Sequence, residues 1–505
     1  MKLDLPVFRP SRAAAPSGDE FAKVRAGGAG IGPLGTLGSA ASAETDTLRV
    51  AGGAVPHVVA WNLTRRCNLE CAHCYIAAGA YHDAAGELGT DEVRRIADEI
   101  FELSPAPMFI LSGGEPLLRD DIERIAEHAT DRGATVVVGT NGTLLNDARI
   151  DSLKASGVTG VAVSIESLDA RYHDRFRRGH GALRDTLAAV DRLGAKRLDW
   201  VAQVTLTRAN RDEIAPLAAW CAERGAVSFN VYFVVATGRG ERMAGLGPAE
   251  NERVLEQLVE MEREYRGRMM VRSKCQPQIM RVAHARSPDS PLLSYSTRCP
   301  CGVQYCRITP DGKVTPCPYM PVVAGDLRLA SFGDVWRSSP VFAELRTGPL
   351  GGRCGRCEYR EVCGGCRARA FAGSGDYLAT DESCAYEPRG GDVVRSRGRR
   401  EQTFGAPART TMTWTDEARA RTRRMPSFVR GVVMARIEKF AREHGYRAVS
   451  GEVMDEVRRA MPVDFSRRLP FFARAAGEGE REGERGGGGE GEGGPLRGRA
   501  EKEER

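Results

Sequence analysis

The chain has 505 residues, a length that exceeds one ordinary domain and predicts two or three folded units. Its 73 basic and 67 acidic residues leave a net charge of +6, and no basic run alternates with aromatic residues, so nucleic-acid binding is disfavoured. Residues 1–15 lack the apolar core of a secretion signal, and no stretch reaches the roughly 18 apolar residues of a membrane span, which predicts a cytoplasmic protein.

The 14 cysteines are unevenly distributed along the chain. Three lie within residues 67–74, nine lie within residues 299–384, and the other two are Cys221 and Cys275. Cytoplasmic thiols stay reduced, so cysteines at this density indicate bound metal rather than disulfides. Cys221 falls on an apolar helix face and is predicted to be a small buried hydrophobe, whereas Cys275 is open as a metal ligand or a substrate contact.

In chain order, residues 1–55 are rich in Ala, Gly and Ser and are predicted to be disordered. Strands are then predicted at 58–63, 108–111, 135–138, 160–165, 200–206 and 227–234, each followed by an amphipathic helix. The first helix has Thr90 as its N-cap, and the fourth is placed at 182–193. Six such units predict an α/β fold, a partial (β/α)6 barrel over residues 56–245, whose ligands collect at the carboxyl ends of the strands.

The remaining segments differ in composition. Residues 246–298 are predicted to form a helical connector, and the cysteine-dense segment 299–390 is predicted to need metal to fold. A polar linker at 391–411 precedes a small helical domain at 412–461. In that domain one helix face carries Val429, Val433, Ile437 and Phe440, and Ser450 caps a further helix. The Gly, Glu and Arg tail at 462–505 is predicted to be mostly disordered.

The loop after the first strand carries Cys67, Cys71 and Cys74 with the spacing Cys-x3-Cys-x2-Cys. Three thiolates so spaced can hold three irons of a 4Fe-4S cube and leave the fourth iron without a protein ligand. The alternative is a structural zinc ion with His73 as fourth ligand. His73 stands between two cysteines that must converge, which disfavours the zinc site.

The second predicted strand ends in Gly113, Gly114 and Glu115. Alone, this sequence predicts an ordinary turn. Two residues without side chains also let a ligand approach the backbone. At the strand end beside the cysteine loop, the turn is suited to the amino end of a methionine-like ligand.

A third cysteine group follows residue 298. It combines Cys-x5-Gly-x4-Cys with a later Cys-x2-Cys-x5-Cys-x2-Cys run, and paired Cys-x2-Cys also occurs in zinc ribbons. The cysteines are Cys299, Cys301, Cys306, Cys317, Cys354, Cys357, Cys363, Cys366 and Cys384.

Across roughly residues 56–245 these motifs resemble the radical S-adenosylmethionine (SAM) superfamily. The resemblance implies that Cys67, Cys71 and Cys74 hold a 4Fe-4S cluster, that SAM chelates its open iron, and that one-electron reduction of SAM yields a 5'-deoxyadenosyl radical. It also implies a SAM pocket, in which the family more often has Asp where this chain has Glu166. The pocket residues are Tyr75 beside the adenine, Gly113, Gly114 and Glu115 at the amino end, and Asn141, Ser164 and Glu166, with Arg178 and Gln203 as further candidates.

The third group resembles the SPASM extension of radical SAM enzymes, which carries one or two auxiliary iron-sulfur clusters. The way this family distributes its cysteines between clusters implies that one cluster is held by a first set, Cys306, Cys317, Cys366 and either Cys299 or Cys301. It implies a second set of Cys354, Cys357, Cys363 and Cys384. The family usually has three residues between the last two cysteines of the central run, where this chain has only Gly364 and Gly365.

The local sequences at 306–321, 363–370 and 375–378 resemble those of the radical SAM branch that modifies haem precursors. The 412–461 domain resembles one that ends a subunit of light-independent protochlorophyllide reductase, and it is a candidate for docking a protein partner. These resemblances imply a tetrapyrrole substrate with Arg239 or Lys274 as carboxylate anchors, and an electron donor such as ferredoxin or flavodoxin. The rival hypotheses are a peptide-modifying SPASM enzyme and a non-catalytic iron-sulfur scaffold.

Overall fold

The computed structural model describes residues 54–104, 106–243, 245–266, 268–294, 298–395, 410–423 and 427–460. The predicted disordered segments, apart from residues 54 and 55, and most of the 391–411 linker lie outside these ranges. The strands of the main unit are β1 Val58–Asn62, β2 Met108–Ser112, β3 Thr135–Thr140, β4 Gly160–Ser164, β5 Trp200–Leu206, β6 Ser228–Phe233, β7 Met270–Lys274, β8 Tyr305–Ile308, β9 Lys313–Thr315 and β10 Gly325–Asp326.

Helices alternate with the first strands and then continue into the cysteine-rich segment. They are α1 Thr90–Leu103, α2 Ile122–Asp131, α3 Asp147–Ala155, α4 Ala170–Arg177, α5 Ala182–Ala195, α6 Ile214–Glu223, α7 Pro248–Glu264, α8 Ile279–Arg286, α9 Phe332–Ser338, α10 Pro340–Thr347, α11 Gly352–Arg356 and α12 Arg367–Ser374. Short 3-10 turns lie at Pro116–Leu118, Arg211–Glu213, Gly238–Arg242 and Pro291–Ser294. Among the described helices, none combines the length and apolar character needed to cross a membrane.

The sheet confirms the predicted α/β architecture and extends it at both edges. Within the described residues its order is β10-β9-β8-β1-β2-β3-β4-β5-β6-β7. Strands β1 to β6 are parallel neighbours, as the six-unit barrel requires. β7 adds a seventh parallel strand inside the segment predicted as a helical connector, and that prediction is corrected. β8, from the cysteine-rich segment, pairs in parallel with β1 on the other edge.

The two faces of this sheet differ in chemistry because successive side chains of a strand point to opposite sides. One face packs on the helices and is apolar, with Trp61, Phe109 and Phe229 fully buried in a single core. The other face has an apolar floor that includes Val137 and Ala162. Toward the carboxyl ends of the strands this second face becomes polar, with Asn62, Ser112, Ser164, Gln203, Tyr232 and Lys274.

Two local predictions about the helices are corrected. Gly89, not Thr90, is the N-cap of α1, because the Glu92 carboxylate accepts the Gly89 N–H at 2.8 Å and leaves the Thr90 hydroxyl free to donate to Asp121. Helix α4, between β4 and the predicted fourth helix, was not predicted from the sequence. Its buried face is short, consisting of His173, Phe176 and Arg177, so it lacks a long apolar period.

The C-terminal region contains β11 Thr413–Trp414, α13 Asp416–Arg423, α14 Ser427–Glu443, β12 Ala448–Val449 and α15 Gly451–Ala460. Trp414, Ile437 and Val449 belong to its own buried core, against which Val433 and Phe440 pack. The buried Glu438 carboxylate accepts the indole N–H of Trp414 at 2.8 Å. The Ser450 hydroxyl accepts the Val453 N–H at 3.3 Å, as expected for an N-cap; the side chain of Val429 lies outside the description.

The glycine turn after β2 is packed directly on the chain leaving β1. The N–H groups of Gly114 and Glu115 donate to the carbonyls of Thr64 and Arg66, at 2.7 and 2.8 Å. A Cβ on Gly113 would lie 2.5 Å from the Thr64 carbonyl oxygen, and one on Gly114 would lie 2.1 Å from that of Arg66. The two glycines are therefore required by close approach of two backbones, whether or not a ligand also contacts them.

The substitution Gly114→Ala is expected to lower the free energy of unfolding by about 1–3 kcal/mol, because its Cβ must push two backbone segments apart. The matched control is Gly194→Ala, in helix α5, where a Cβ meets nothing within 4 Å. Removing that helical glycine should stabilise the chain by roughly 0.5–1 kcal/mol. Chemical unfolding of the two variants measures both changes, and equal effects would contradict the packing argument.

Candidate active site

The cysteine loop leaves the carboxyl end of β1 and is held by hydrogen bonds to its own backbone. The Cys67 N–H donates to the Gly79 carbonyl at 3.2 Å, and the Cys74 N–H donates to the Cys71 carbonyl at 3.2 Å. Cys67 and Cys71 are buried, and Cys74 is half-buried. The three predicted ligands thus lie on one compact loop at the end of the sheet where ligands of parallel sheets collect.

Each of these three sulfurs faces an N–H donor. The backbone N–H of Leu69 donates to the Cys67 sulfur at 3.4 Å, and that of Ala78 donates to the Cys74 sulfur at 3.3 Å. The Arg177 guanidinium is 3.6 Å from the Cys71 sulfur. Such donors stabilise a thiolate and tune an iron-sulfur cluster.

The loop fits a metal cluster better than it fits three free thiols. Burial raises the pKa of Cys67 to about 12 and also raises the pKa of Cys71, so thiolates here need a compensating metal charge. Within the described residues no three His, Cys, Asp or Glu side chains converge on a point suited to one metal ion. The His73 ring stacks on Phe176, with centroids 4.7 Å apart. His73, the fourth ligand of the zinc alternative, thus packs on helix α4.

Glu115 is fully buried, and its carboxylate joins the ends of β2 and β3. It accepts the Thr140 hydroxyl at 2.8 Å and the backbone N–H of Asn141 at 2.9 Å. Burial raises the pKa of Glu115 to about 7. The Asn141 side chain donates in turn to the Asn68 side chain, at 2.8 Å, within the cysteine loop. These two predicted site residues are therefore brought together beside the loop.

Glu166 and Arg177 form a buried ion pair on the other side of the loop. The Arg177 guanidinium donates to one Glu166 oxygen, and the Thr205 backbone N–H donates to the other at 2.6 Å. Burial raises the pKa of Glu166, and Arg177 opposes that rise. Arg178, the predicted neighbour, is exposed and ends helix α4 in a left-handed conformation. The arginine next to the cysteine loop is therefore Arg177, and the prediction for Arg178 is corrected.

Arg239 contacts the cysteine loop rather than an open cavity. Its guanidinium donates to the carbonyls of Cys71 and Ala78, at 2.9 and 2.7 Å. A Cβ on the preceding Gly238 would lie 2.5 Å from the Tyr75 carbonyl oxygen. The 237–240 turn thus closes over the loop; the Arg239 Nε and Nη1 donate to it, the buried Nη2 has no hydrogen-bond partner, and the role of Arg239 as a substrate anchor stays a prediction.

Tyr75 points from the loop across the polar face of the sheet. Its hydroxyl accepts from the Asn62 side chain at 2.8 Å, and its ring lies 5.3 Å from that of Tyr319. The Arg307 guanidinium stands over the same ring at 5.5 Å. Ser164 and Gln203, also predicted, end β4 and continue β5 on this face, and the Gln203 side chain lies 3.5 Å from the Tyr232 hydroxyl.

Four auxiliary cysteines surround one cavity, as the predicted second set requires. The cavity is also lined by Arg281, Asp381 and Tyr386. The Cys354 sulfur accepts the Asp381 N–H at 3.4 Å. The four thiols of this distal group are Cys354, Cys357, Cys363 and Cys384.

The other auxiliary thiols form a proximal group whose membership differs from the prediction. The sulfurs of Cys299 and Cys301 are 3.3 Å apart. The Cys299 thiol also interacts with the Cys366 thiol by a side-chain hydrogen bond, and the Cys301 thiol interacts in the same way with that of Cys317. Cys306 is fully buried in β8 beside Val59 of β1, on the helix side of the sheet, and its charged neighbour is Arg346. Strand alternation thus turns Cys306 away from the face that carries Tyr305 and Arg307, which counts against the predicted first set.

The shortened spacing in the central run has a structural cause. Gly364 and Gly365 both have left-handed backbones, with φ of 62° and 67°. A Cβ on Gly365 would lie 2.9 Å from both the Cys354 sulfur and the Asp381 side chain. Two residues then suffice to turn Cys363 toward the distal group and Cys366 toward the proximal group.

A parallel barrel with three cysteines at the end of β1 and further thiols beside it defines a radical SAM protein with auxiliary iron-sulfur sites. Three family models match the chain: the radical SAM superfamily over residues 61–221, the SPASM iron-sulfur cluster-binding domain over residues 299–367, and the proto-chlorophyllide reductase 57 kD subunit over residues 414–458.

Full-length relatives agree with these models. An AdoMet-dependent heme synthase of Methanosarcina barkeri is 39% identical over 66% of this chain and 97% of its own length. A pre-heme d1 synthase of Dinoroseobacter shibae is 32% identical over 66% of this chain and 88% of its own. The Streptococcus suis SuiB structure with bound S-adenosylmethionine shares the fold, with a TM-score of 0.54 and 15% identity over 66% of this chain and 78% of that one.

The chain therefore belongs to the radical SAM superfamily, in its SPASM-containing branch with the AdoMet-dependent heme synthases and pre-heme d1 synthase. Its cofactors are S-adenosylmethionine and iron-sulfur clusters, and the cysteines described above fit them.

Several residues of the site were not predicted. Arg177 is one helical turn beyond His173 on α4, and only the pattern His-x3-Arg on a buried helix face could have indicated it. Arg307 and Tyr319 flank Tyr75, yet both occur in the segment where the cysteines dominate the pattern.

The variant Arg177→Met is expected to lower the free energy of unfolding by about 3–5 kcal/mol, because Glu166 becomes an unpaired buried charge. Adding Glu166→Gln should restore most of this loss. Arg184→Met, which removes an exposed pair with Asp185, should cost no more than about 1 kcal/mol. Urea unfolding under anaerobic conditions compares the three, and an additive double variant would refute the coupling.

Proposed function

We propose that this protein reductively cleaves S-adenosylmethionine and uses the resulting 5'-deoxyadenosyl radical to trim carboxylate side chains of a haem-type tetrapyrrole precursor, acting as an oxidoreductase or lyase. The observation that carries the proposal is the polar face of the sheet. It begins beside the cysteine loop, and it presents cations from β7 and β8, which stand at the two ends of the β1 to β6 array. The relatives named as heme synthases support the same substrate class.

The cations on this face are Lys274 and Arg307. Lys274 ends β7 opposite Tyr232 of β6, and burial lowers its pKa to about 8, so the ammonium is held where water is scarce. Arg307 lies on β8, 6% exposed, with a buried Nε that has no hydrogen-bond partner. Buried cations with free donors are suited to the propionates of a porphyrin. Lys274 is one of the two anchors predicted from sequence, and the other, Arg239, donates to the cysteine loop through two of its nitrogens.

The chemistry that fits these residues is an oxidative decarboxylation. Bound and reduced SAM would supply a deoxyadenosyl radical, which could abstract a hydrogen atom from the propionate carbon next to the ring. Loss of CO2 and of one electron then leaves a vinyl group, with 5'-deoxyadenosine carrying the abstracted hydrogen. The electron requires an acceptor, and an auxiliary cluster held by the proximal thiols would supply one.

Three tyrosine side chains lie on this face of the sheet. Tyr75, Tyr232 and Tyr319 each have a pKa raised first by burial, so they stay neutral hydrogen-bond donors. Flat aromatic walls suit a planar macrocycle. We place the enzyme in the cytoplasm, with a ferredoxin or flavodoxin as electron donor and the 412–461 region as a candidate docking module.

Cleavage of SAM is tested directly. After anaerobic reconstitution, the protein with SAM and dithionite should release 5'-deoxyadenosine, measured by chromatography and mass spectrometry. Cys71→Ala should abolish the release, whereas Cys221→Ala, which removes a buried thiol in α6 remote from the loop, should not. Undiminished release from Cys71→Ala would overturn the proposal, and clusters without any cleavage would favour the scaffold hypothesis.

The substrate class is tested by binding. Lys274→Met should weaken binding of a siroheme-derived porphyrin with propionates by roughly 10- to 150-fold, the range for losing one hydrogen bond to a charged group of about 1.5–3 kcal/mol. The control is Lys439→Met, which replaces an exposed lysine of helix α14. This variant should bind the porphyrin like the wild type. Absorbance titration measures both. Mass-spectrometric modification of a candidate peptide, with no porphyrin binding, would favour the peptide-modifying rival.

A further inference from the structure

Helix α4 covers one side of the cysteine loop. Its inner face carries His173, Phe176 and Arg177, which are buried. The Phe176 carbonyl accepts the Ala72 N–H at 2.9 Å, and the Phe176 ring stacks on that of His73. The helix is therefore attached to the middle of the loop that carries the three predicted cluster ligands.

The outer face of α4 carries a row of arginines. Arg171, Arg175 and Arg178 are all exposed, and their spacing of four and then three residues places them along one side of the helix. Leu168, just before the helix, is one of the exposed large apolar side chains, with 36% of its surface accessible. We call the three arginines the arginine stripe.

The acidic residues beside the arginine stripe do not neutralise it. The Asp174 carboxylate accepts the backbone N–H groups of Gly181 and Leu183, at 2.7 and 2.8 Å. The Asp169 carboxylate accepts the backbone N–H of Arg171 at 2.9 Å, as an N-cap. Among the described residues, none of the three guanidinium groups of the stripe forms an ion pair. The outer face of α4 thus presents three uncompensated positive charges.

We propose that the arginine stripe, with Leu168 beside it, is the surface on which an acidic one-electron donor protein docks to reduce the cluster of the cysteine loop. This inference rests on the proposed function, in which each cleavage of SAM consumes one electron. The donor protein loses that electron and the cluster gains it.

Charge and position both support this assignment. Ferredoxins and flavodoxins carry a net negative charge, so a patch of unpaired arginines attracts them and orients them on approach. A protein seated on the outer face of α4 is separated from the Cys71 side of the loop by about the 10 Å width of one helix. The Arg177 guanidinium, 3.6 Å from the Cys71 sulfur, lies on the inner face of the same helix.

Electron delivery and docking are measured separately on the reconstituted full-length protein. The protein receives SAM with either dithionite or flavodoxin that is kept reduced by its reductase and NADPH, and the rate of 5'-deoxyadenosine release is recorded. Binding of flavodoxin without SAM is measured by anaerobic calorimetry. In the wild type, added salt should slow the flavodoxin-driven release and weaken binding, because salt screens exposed charges.

The charge-reversed double variant Arg171→Glu, Arg175→Glu should lower the flavodoxin-driven rate and weaken flavodoxin binding, each by at least about 10-fold at low salt. The dithionite-driven rate should not change, because dithionite does not need the docking surface. The control is Arg197→Glu with Arg263→Glu, which changes the net charge equally at exposed arginines before β5 and near the end of α7. This control should behave like the wild type.

Arg178 allows a further variant that does not strain the fold. It ends α4 with a left-handed backbone, φ of 52°, where glycine is favoured, so Arg178→Gly should leave the chain as stable as the wild type. Arg197→Gly is the matched control, since Arg197 is also exposed and has φ of 54°. Only Arg178→Gly should weaken flavodoxin binding.

Two results would overturn the inference. One is flavodoxin binding and flavodoxin-driven release in the charge-reversed variant that equal those of the wild type. The other is an equal loss of release with dithionite, which would assign the arginines to the integrity of the cysteine loop. If the wild type releases no 5'-deoxyadenosine even with dithionite, the proposed function fails instead, and the binding comparison still decides whether the stripe docks the donor.

Discussion

The parallel pairing of β1 with β8 is the constraint on which the site depends. β1 hydrogen-bonds to β2 on one side and to β8 on the other, and its carboxyl end leads into the Cys67 loop. One short strand therefore positions the cysteine loop, the glycine turn and the auxiliary segment at once. Because β1 and β8 are hydrogen-bonded neighbours, the spacing between the cysteine loop and the proximal thiols is set by the sheet in the described part of the chain.

Much of the fold and part of the site could be predicted because their signals are local. Short apolar runs that alternate with amphipathic helices predict a parallel sheet. The spacing of three cysteines in one loop predicts a site for an iron-sulfur cluster. The glycines at 113 and 114 were predicted to let a ligand approach the backbone, and the structure shows instead the chain leaving β1 packed against them. Strand β7 was missed since its five residues carry neither a long apolar run nor clean alternation.

The other site residues depend on which way each side chain points in the folded protein, and the spacing of residues in the sequence does not show this. Cys306 has the right neighbours in sequence, but a single residue's register on β8 turns its thiol to the helix side. Cys275 lies far from the cysteine motifs in sequence, yet its carbonyl accepts the Arg369 Nε–H from the helix that follows Cys366. Arg177 and Arg178 are adjacent in sequence, and the end of α4 decides which is buried.

The glycine pair at 364 and 365 has a consequence for how the two auxiliary groups of thiols are ordered. Cys363 and Cys366 stand two residues apart and serve different groups of thiols. The fully buried Asp381 accepts the Cys366 N–H at 2.8 Å and gives its own N–H to Cys354. So short and enclosed a connection cannot order one cysteine without ordering the other. The backbone positions of the two groups of thiols are therefore coupled through this turn and through Asp381.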